Sequence, residues 1–381
     1  MNSKNMKIIS IALVVFFIIL LVSAIYSTYF SENYSIIYLP KFSKIVSFIP
    51  ISSNSILIAG NEILGNTTEG LAGIYYINNN SFIDLNLNGS FDNGSIYSVA
   101  SNGSSYLFVG AKYIGTELVP TAFLYDNGKI YNYSKYFSSF APGQAFAADW
   151  FNRTWLVGGD FVIYQSGGQH SIMFMFLVGI KGNEAIDYTK NISMELGELP
   201  EGEIFTINNS SNEVLIGGSF SIYTSVFLLS NENLNVDPST ILYKTPGSIL
   251  TASPYGKLWL AGGMEFTPQS VEAPQPYPVP YLITVGNNIS QINIPYKIGV
   301  ITSIATESDK IAVAIRVPFS QYQNITGGSV ILYGKLSSLS KVYQSEDISI
   351  NQLSFIHGYL LGVGYKIAGN NSVGVLLLYK V

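Results

Sequence analysis

The sequence predicts an all-β fold, a seven-bladed β-propeller of four-stranded blades preceded by one N-terminal apolar helix. Three observations carry this expectation. Strands of β-branched and aromatic residues that run into glycine recur seven times, at intervals of about 50 residues, the period of a propeller blade. Each recurrence is flanked by further short apolar strands, with turn residues between them. No helical periodicity follows Ile25, and turn signals arrive roughly every 8–12 residues.

The first element is the apolar run "IISIALVVFFIILLVSAI", Ile8 to Ile25, which Lys4 and Lys7 precede. At a rise of about 1.5 Å per residue it is long enough to span a bilayer. It reads as a signal anchor whose lysines stay inside, or as a signal peptide cut after the small residues Val22-Ser23-Ala24. Both readings export the rest of the chain. The expected organisation is residues 1–30 as anchor or signal peptide and residues 31–381 as a propeller ectodomain.

The repeats follow. The glycine strands are "SILIAG" at Ser55, "YLFVGA" at Tyr106, "TWLVGG" at Thr154, "VLIGGS" at Val214, "LWLAGG" at Leu258, "KIAVAI" at Lys310 and "YLLGVG" at Tyr359. About ten residues upstream of each lies a short apolar strand, such as "KIVSFIPI" from Lys44 or "QAFAADW" from Gln144. Between the two sit pairs such as Asn102-Gly103 and Asn152-Arg153, which tolerate the backbone angles of a tight hairpin. A third strand follows, as in "TAFLYD" from Thr121, and then a fourth, as in "KIYNY". The seventh repeat runs into the C-terminus after its third strand. The unassigned piece "YSIIYLP", Tyr34 to Pro40, is expected to add the missing strand, which would close the ring and remove an open edge.

Composition restricts the function. Only 11% of residues are charged, against roughly 25% in ordinary soluble proteins. Asn, Ser, Thr, Gly and 27 Tyr fill the polar positions. Arg occurs only at Arg153 and Arg316, so no basic stripe exists to track a nucleic-acid backbone, and no nucleic-acid partner is expected. The absence of cysteine excludes thiol redox chemistry. Sequons occur at Asn33, Asn66, Asn79, Asn88, Asn93, Asn102, Asn132, Asn152, Asn191, Asn208, Asn209, Asn288, Asn324 and Asn370, all beyond the apolar run, as a glycosylated exterior surface requires. Low charge, abundant amides and hydroxyls, sequons and no cysteine together resemble the cell-surface glycoproteins of thermoacidophilic archaea. A surface of that kind keeps its hydration as carboxylates protonate near their reference pKa of about 4.

The double glycines "VGGD" at Val157, "IGGS" at Ile216 and "AGGM" at Ala261 resemble those that end the second strand of kelch-like propeller repeats. "GGDF" and "GGSF" also look like the related fungal cell-polarity and delta-type repeats. The resemblance covers residues 34–381 in its period and is specific in three of the seven repeats. It lacks the Tyr and Trp spacing of kelch blades. It implies protein or glycan binding more than catalysis.

Candidate sites follow from the connections. Those joining second to third strands read as long loops from Asn61, Gly159, Gly263 and Arg316, and they share a face with the blade-to-blade connections, where function concentrates. Weak candidates for ligand binding on that face are Asp160, His170, Glu265 and Arg316. The segment Thr267–Tyr281 is proline-rich and reads as a stiff, pre-extended loop. The carboxylates Glu195, Glu198, Glu201 and Glu203 gather in one connection, but without the spacing of a calcium loop. His170 and His357 are the only imidazoles, too few for a histidine-rich metal site, and His357 reads as a turn residue. No catalytic set, metal site or cofactor is expected. The resulting reading is a membrane-anchored or secreted, glycosylated interaction module for envelope proteins or glycans. The alternative is an extracellular, glycosidase-like hydrolase on the same face, with Asp149, Asp160 and Glu265 as its carboxylates.

Overall fold

The computed structural model describes residues 34–164, 171–196, 200–221, 223–230, 234–236, 245–267, 277–286, 288–317, 327–369 and 371–381. The apolar run Ile8–Ile25, on which the N-terminal helix was expected, lies outside them. Among the described residues no helix is long and apolar enough to cross a membrane.

Seven four-stranded antiparallel sheets follow one another along the chain. Their inner strands are Lys44–Ser52, Gly94–Ser101, Gly143–Phe151, Gly202–Asn209, Gly247–Tyr255, Val300–Glu307 and Ile348–Ile356, which define blades 1 to 7. They surround a central channel, and each blade's core residues pack against those of its neighbour. The first strand of the chain, Tyr34–Leu39, pairs with Asn371–Lys380 of blade 7 in the register Tyr34↔Tyr379 to Leu39↔Gly374. The ring is therefore closed by the N-terminal strand, as the missing fourth strand of the last repeat requires. Across the closure, Phe42, Ile45 and Phe48 of blade 1 share one buried cluster with Leu361, Val363 and Leu376 of blade 7.

The blades are also laced by polar side chains. Gln352 Oε1 accepts from Phe48 N at 2.7 Å, Ser303 Oγ from Leu353 N at 2.8 Å, and Thr251 Oγ1 from Ile304 N at 3.3 Å. Each bond satisfies a backbone donor that a buried inner strand would otherwise leave unpaired.

Three expectations need correction. The double glycine does not end the second strand: Thr154–Tyr164 runs on for five residues past Gly159, because strand pairing continues beyond the close approach that the glycine permits. The stretch from Asn61 is not a long loop but a hairpin, Ser55–Leu64 against Thr67–Tyr76, turning at Gly65 with φ 64°. Helices are present after Ile25: a 3-10 helix, Ser134–Phe140, buries Phe137 and Phe140, and an α-helix, α1 (Thr189–Leu196), buries Ile192. Two turns are too short to produce a readable period.

Candidate functional site

The site begins with a backbone irregularity repeated in every blade. The register of each inner strand against its second strand shifts by one residue, at Ile45/Ser47, Ile96/Ser98, Ala145/Ala147, Ile204/Thr206, Ile249/Thr251, Ile301/Ser303 and Ile350/Gln352. The skipped residues are Val46, Tyr97, Phe146, Phe205, Leu250, Thr302 and Asn351. A bulge re-aims a side chain. All seven of these residues are half-buried, while the residue before each is buried in the core. Together they ring the central channel at one level, called the neck below.

Glycine makes the bulge possible. Opposite it, in six of seven blades, stands a glycine of the recurring motif, the second one where the motif has two. A Cβ there would meet a bulge carbonyl at 2.2 Å or less, Lys44 O for Gly60 and Glu203 O for Gly218 among them. The first glycine of the pair has another role. A Cβ on Gly158, Gly217 or Gly262 would lie within 3 Å of an isoleucine of the following blade: Ile204, Ile249 or Ile301.

On the turn-face side of the neck lies a cavity of about 570 Å³ lined by all seven inner strands. Hydroxyls and amides dominate there, with Ser98, Thr206, Ser253, Thr306, Gln352 and Ser354 among them. Asp149 sits toward that end. Its Oδ1 accepts from Trp150 N at 2.8 Å and its Oδ2 from Asn209 Nδ2 at 2.9 Å. Burial outweighs those bonds and pushes its carboxyl up to about 6.

The opposite side of the neck carries charge. Two residues before the bulge, strand alternation returns a side chain to the channel side. The residues at this level are Lys44, Ser95, Gln144, Glu203, Ser248, Val300 and Ser349, and across from them on the second strands stand Asn61, Ala111, Asp160, Ser219, Met264, Arg316 and Tyr365. The charges segregate. Asp160 and Glu203 come from the adjacent blades 3 and 4. Lys44 and Arg316 come from blades 1 and 6, which flank blade 7 on the other side of the ring. Asp160 is only 2% exposed; burial, then the neighbouring Glu203 charge, push it up to about 7, against an accepted bond from Gln144 N at 3.0 Å. Burial likewise raises Glu203. Burial lowers Lys44, and repulsion from Arg316 lowers it further. On the acidic side, Tyr97, Phe146 and Phe205, the bulge residues of blades 2, 3 and 4, make a row of ring contacts at 5.5 and 5.2 Å, and Tyr97 Oη donates to Gln144 Oε1 at 2.9 Å.

Of the residues singled out in the sequence, Asp160 and Arg316 stand at this one level, on opposite sides. Glu265 is one step farther along its strand, across from Gly247, and is half-buried. His170 lies outside the described residues. His357 occupies a turn with φ 44°. Glu203 belongs to an inner strand and not to an acidic connection. Glu201 is exposed, and Glu198 lies outside the described residues. Among the described residues no group of three or more His, Asp or Glu is arranged to hold a metal. Lys44 and Asn351 escaped the sequence reading, and Glu203 was singled out there only as one of a group of acidic residues; the signal that finds all three is their constant offset from the glycine across the bulge.

The sequons divide by geometry. Asn66, Asn79, Asn88, Asn93, Asn132, Asn152 and Asn288 are exposed. Asn209 Nδ2 is committed to Asp149 and to Trp150 O, Asn208 Nδ2 to Thr206, and Asn191 Nδ2 to Leu234 O. Asn102 uses its Oδ1 to cap its own hairpin turn. Asn33, Asn324 and Asn370 lie outside the described residues.

No protein-family model matches the chain, and no curated protein matches it in sequence. Solved structures do resemble it. YCF48 bound to D1 peptide aligns with TM-score 0.55 and 10% identity, over 92% of this chain and 97% of that one. The Pan2 WD40 domain of Neurospora crassa aligns with TM-score 0.53 and 8% identity, over 91% and 95%. The chain is a seven-bladed β-propeller. It also aligns with the acylaminoacyl peptidase of Pyrococcus horikoshii at TM-score 0.51 and 9% identity, covering 88% of this chain and 53% of that one, so this propeller spans about half the length of the peptidase. At such identities the likeness extends to the fold alone.

Proposed function

We propose that the protein is an extracytoplasmic interaction module, held at the cell membrane by residues 8–25 or secreted if they are cleaved, that engages envelope proteins or glycans through the face bearing the charged rim. The observation that carries this reading is the rim itself. Desolvated charges of both signs converge from four strands of four blades without an ion-pair partner among the described residues. The ion pairs present there are Lys41–Asp84, Lys335–Asp309 and Lys366–Asp347, all at the surface. Desolvated, unpaired charge is costly unless a ligand compensates it.

Two further features support the same face. Hairpins of blades 1, 2 and 3 extend beyond it with exposed apolar residues at the described ends of their second strands, Ile63 and Leu64, Tyr113 and Ile114, Ile163 and Tyr164. Clustered exposed apolar side chains mark interaction surfaces. The N-terminal strand starts at the other end of the ring: Tyr34 pairs with Tyr379, and Val381 N donates to Gly358 O in the inner-strand turn of blade 7. An anchor ending at Ile25 would reach Tyr34 in at most about 30 Å of chain. The rim and the hairpin tips would then face away from the bilayer.

Crosslinking of the full chain in its native membranes, followed by recovery of crosslinked partners, tests the reading. Crosslinks should map to the hairpin tips and rim and should be lost in the double variant Asp160→Asn/Arg316→Gln. Crosslinks confined to the opposite face would sink it.

One observation favours a hydrolase as the second reading. Asp160 and Glu203 are adjacent carboxyls with raised pKa, the pairing of protonated acid and carboxylate that glycoside hydrolysis uses. Turnover of a polysaccharide that disappears in both Asp160→Asn and Glu203→Gln would establish it.

A further inference from the structure

The basic side of the rim has the construction of a specific anion site. Arg316 Nη2 donates to Asn351 Oδ1 at 2.9 Å, and Asn351 Nδ2 in turn donates to Ile45 O at 2.6 Å. Asn351 is the bulge residue of blade 7, so a backbone irregularity aims the amide that orients the guanidinium. The chain of bonds ties blade 6 to blade 1 across blade 7. Ile45 is the neighbour of Lys44, whose Nζ lies 5.5 Å from the centre of the Tyr365 ring. The guanidinium and the ammonium are thus fixed independently and brought close enough to repel each other.

Nothing described neutralises them. Arg316 Nε is buried and has no hydrogen-bond partner among the described residues. Asp347, in the connection into blade 7's inner strand, and Asp84, at the end of blade 1's outer strand, pair with Lys366 and Lys41. The stretch that follows Arg316, "VPFSQYQNITGG", contains no acidic residue, so it supplies no counter-charge. Two cations held together in a desolvated recess, with one N–H donor unused, fit a bound oxyanion, and a guanidinium offers paired donors to a carboxylate or phosphate.

We propose that Arg316, Lys44 and Asn351 form an oxyanion-binding site at the seam of blades 6, 7 and 1, which receives a carboxylate or phosphate group of the ligand. This proposal rests on the reading of the rim as the binding face. Arg316 and Lys44 contact the oxyanion. Asn351 positions Arg316.

The test uses the full chain in detergent, with sodium phosphate and sodium acetate as probes against sodium chloride at constant ionic strength. Its readout is the rate at which Lys44 is acylated by an amine reagent, followed by peptide mass spectrometry with Lys366 as the internal reference. An oxyanion beside Lys44 favours the ammonium, and a tenfold gain in its proton affinity reduces the reactive amine about tenfold at fixed pH. Saturable, several-fold protection of Lys44 by phosphate, acetate or both is expected, with Lys366 unaffected; the arm that protects identifies the chemistry. Arg316→Gln should abolish the protection, and Asn351→Ala should weaken it. Equal Lys44 rates in all three salts overturn the proposal in the wild-type chain, so the result does not depend on whether a variant folds. Protection that persists in a folded Arg316→Gln chain overturns it too. If rim crosslinks to a partner persist while the anions fail to protect Lys44, the interaction reading stands and this site does not; protection without any rim partner gives the reverse.

Discussion

A Cβ placed on Gly159 would lie 1.8 Å from the carbonyl oxygen of Gln144, on the strand it pairs with. No real Cβ contact is that short, and the obstacle is backbone, which cannot swing aside as a side chain can. Gly159→Ala must therefore flatten the bulge of blade 3 or part the two strands. Either change moves Phe146 out of the neck and disturbs the Asp160–Gln144 hydrogen bond. Overpacking of this kind costs about 1–3 kcal/mol or more, and a thermal melt should show a clear drop. Gly362 of blade 7 serves as the comparison. Its nearest obstacle is Leu353 Cδ2 at 3.1 Å, the end of a flexible side chain, so Gly362→Ala should be milder. Equal melting temperatures for Gly159→Ala and the parent would mean that the bulge does not need its glycine.

The same pair of residues shows what the sequence makes legible. The recurring glycine was readable as a place of close backbone approach, and seven recurrences gave the blade number. The missing outer strand of the last repeat pointed to Tyr34–Leu39. The one-residue register shift was not readable, because it changes no residue type in a regular way: the bulge holds Val46, Tyr97, Phe146, Phe205, Leu250, Thr302 and Asn351. Without it, Lys44 and Arg316 have no reason to be assigned to one site, since they lie on blades separated by most of the chain. Asp160 was conspicuous only because Ser219 and Met264 occupy its position in the next two blades. Glu203 was hidden by its acidic neighbours, although Gly202, at φ 131°, opens an inner strand directly before it.

Ring closure by Tyr34–Leu39 makes the first described residues essential to the last blade. Leu39 is 8% exposed and shares a cluster with Phe42 and Leu376, while Ile37 packs against the same group. Deleting residues 31–41 removes a whole ladder and leaves Asn371–Lys380 as an unpaired edge. Such an edge promotes association. The deletion should lower the melting temperature strongly and add concentration-dependent light scattering; an unchanged melt would show that the ring closes without this strand.

Two buried carboxyls set an unusual pH dependence. Asp160 and Asp149, ordinarily near 3.8, are raised to about 7 and about 6, chiefly by burial. Their folded values lie above the unfolded ones, so between about pH 4 and pH 7 the native state holds more protons than the unfolded state. Stability therefore rises as pH falls through that window, and the full penalty of the buried charge is present above it. The exposed pair Asp347–Lys366 acts in the opposite sense but contributes little. Denaturant midpoints should be higher at pH 5 than at pH 8. Asp160→Asn keeps an acceptor for Gln144 N and removes the charge, so it should stabilise the protein at pH 8 by up to about 4 kcal/mol and leave pH 4 unchanged. A parent protein that is more stable at pH 8 than at pH 5 would show that these carboxyls are not desolvated.

The hairpin tips separate a binding role from a structural one. Leu64, Ile114 and Tyr164 are 45%, 59% and 65% exposed, on three consecutive blades, and stand clear of the blade cores. Apolar side chains so placed add little to folding, and surface substitutions away from packed features usually change stability by no more than about 0.5 kcal/mol. They are suited to a partner's apolar surface, where aromatic and aliphatic anchors dominate affinity. The triple variant Leu64→Lys/Ile114→Lys/Tyr164→Lys should therefore melt within a few degrees of the parent yet lose its crosslinked partners in native membranes. Each single variant should lose part of them, because the three tips bear on one surface from adjacent blades. A triple variant that retains all partners would remove the hairpins from the interface and leave the charged rim as the sole contact. A triple variant that unfolds would instead assign the tips to the stability of blades 1 to 3, contrary to their exposure.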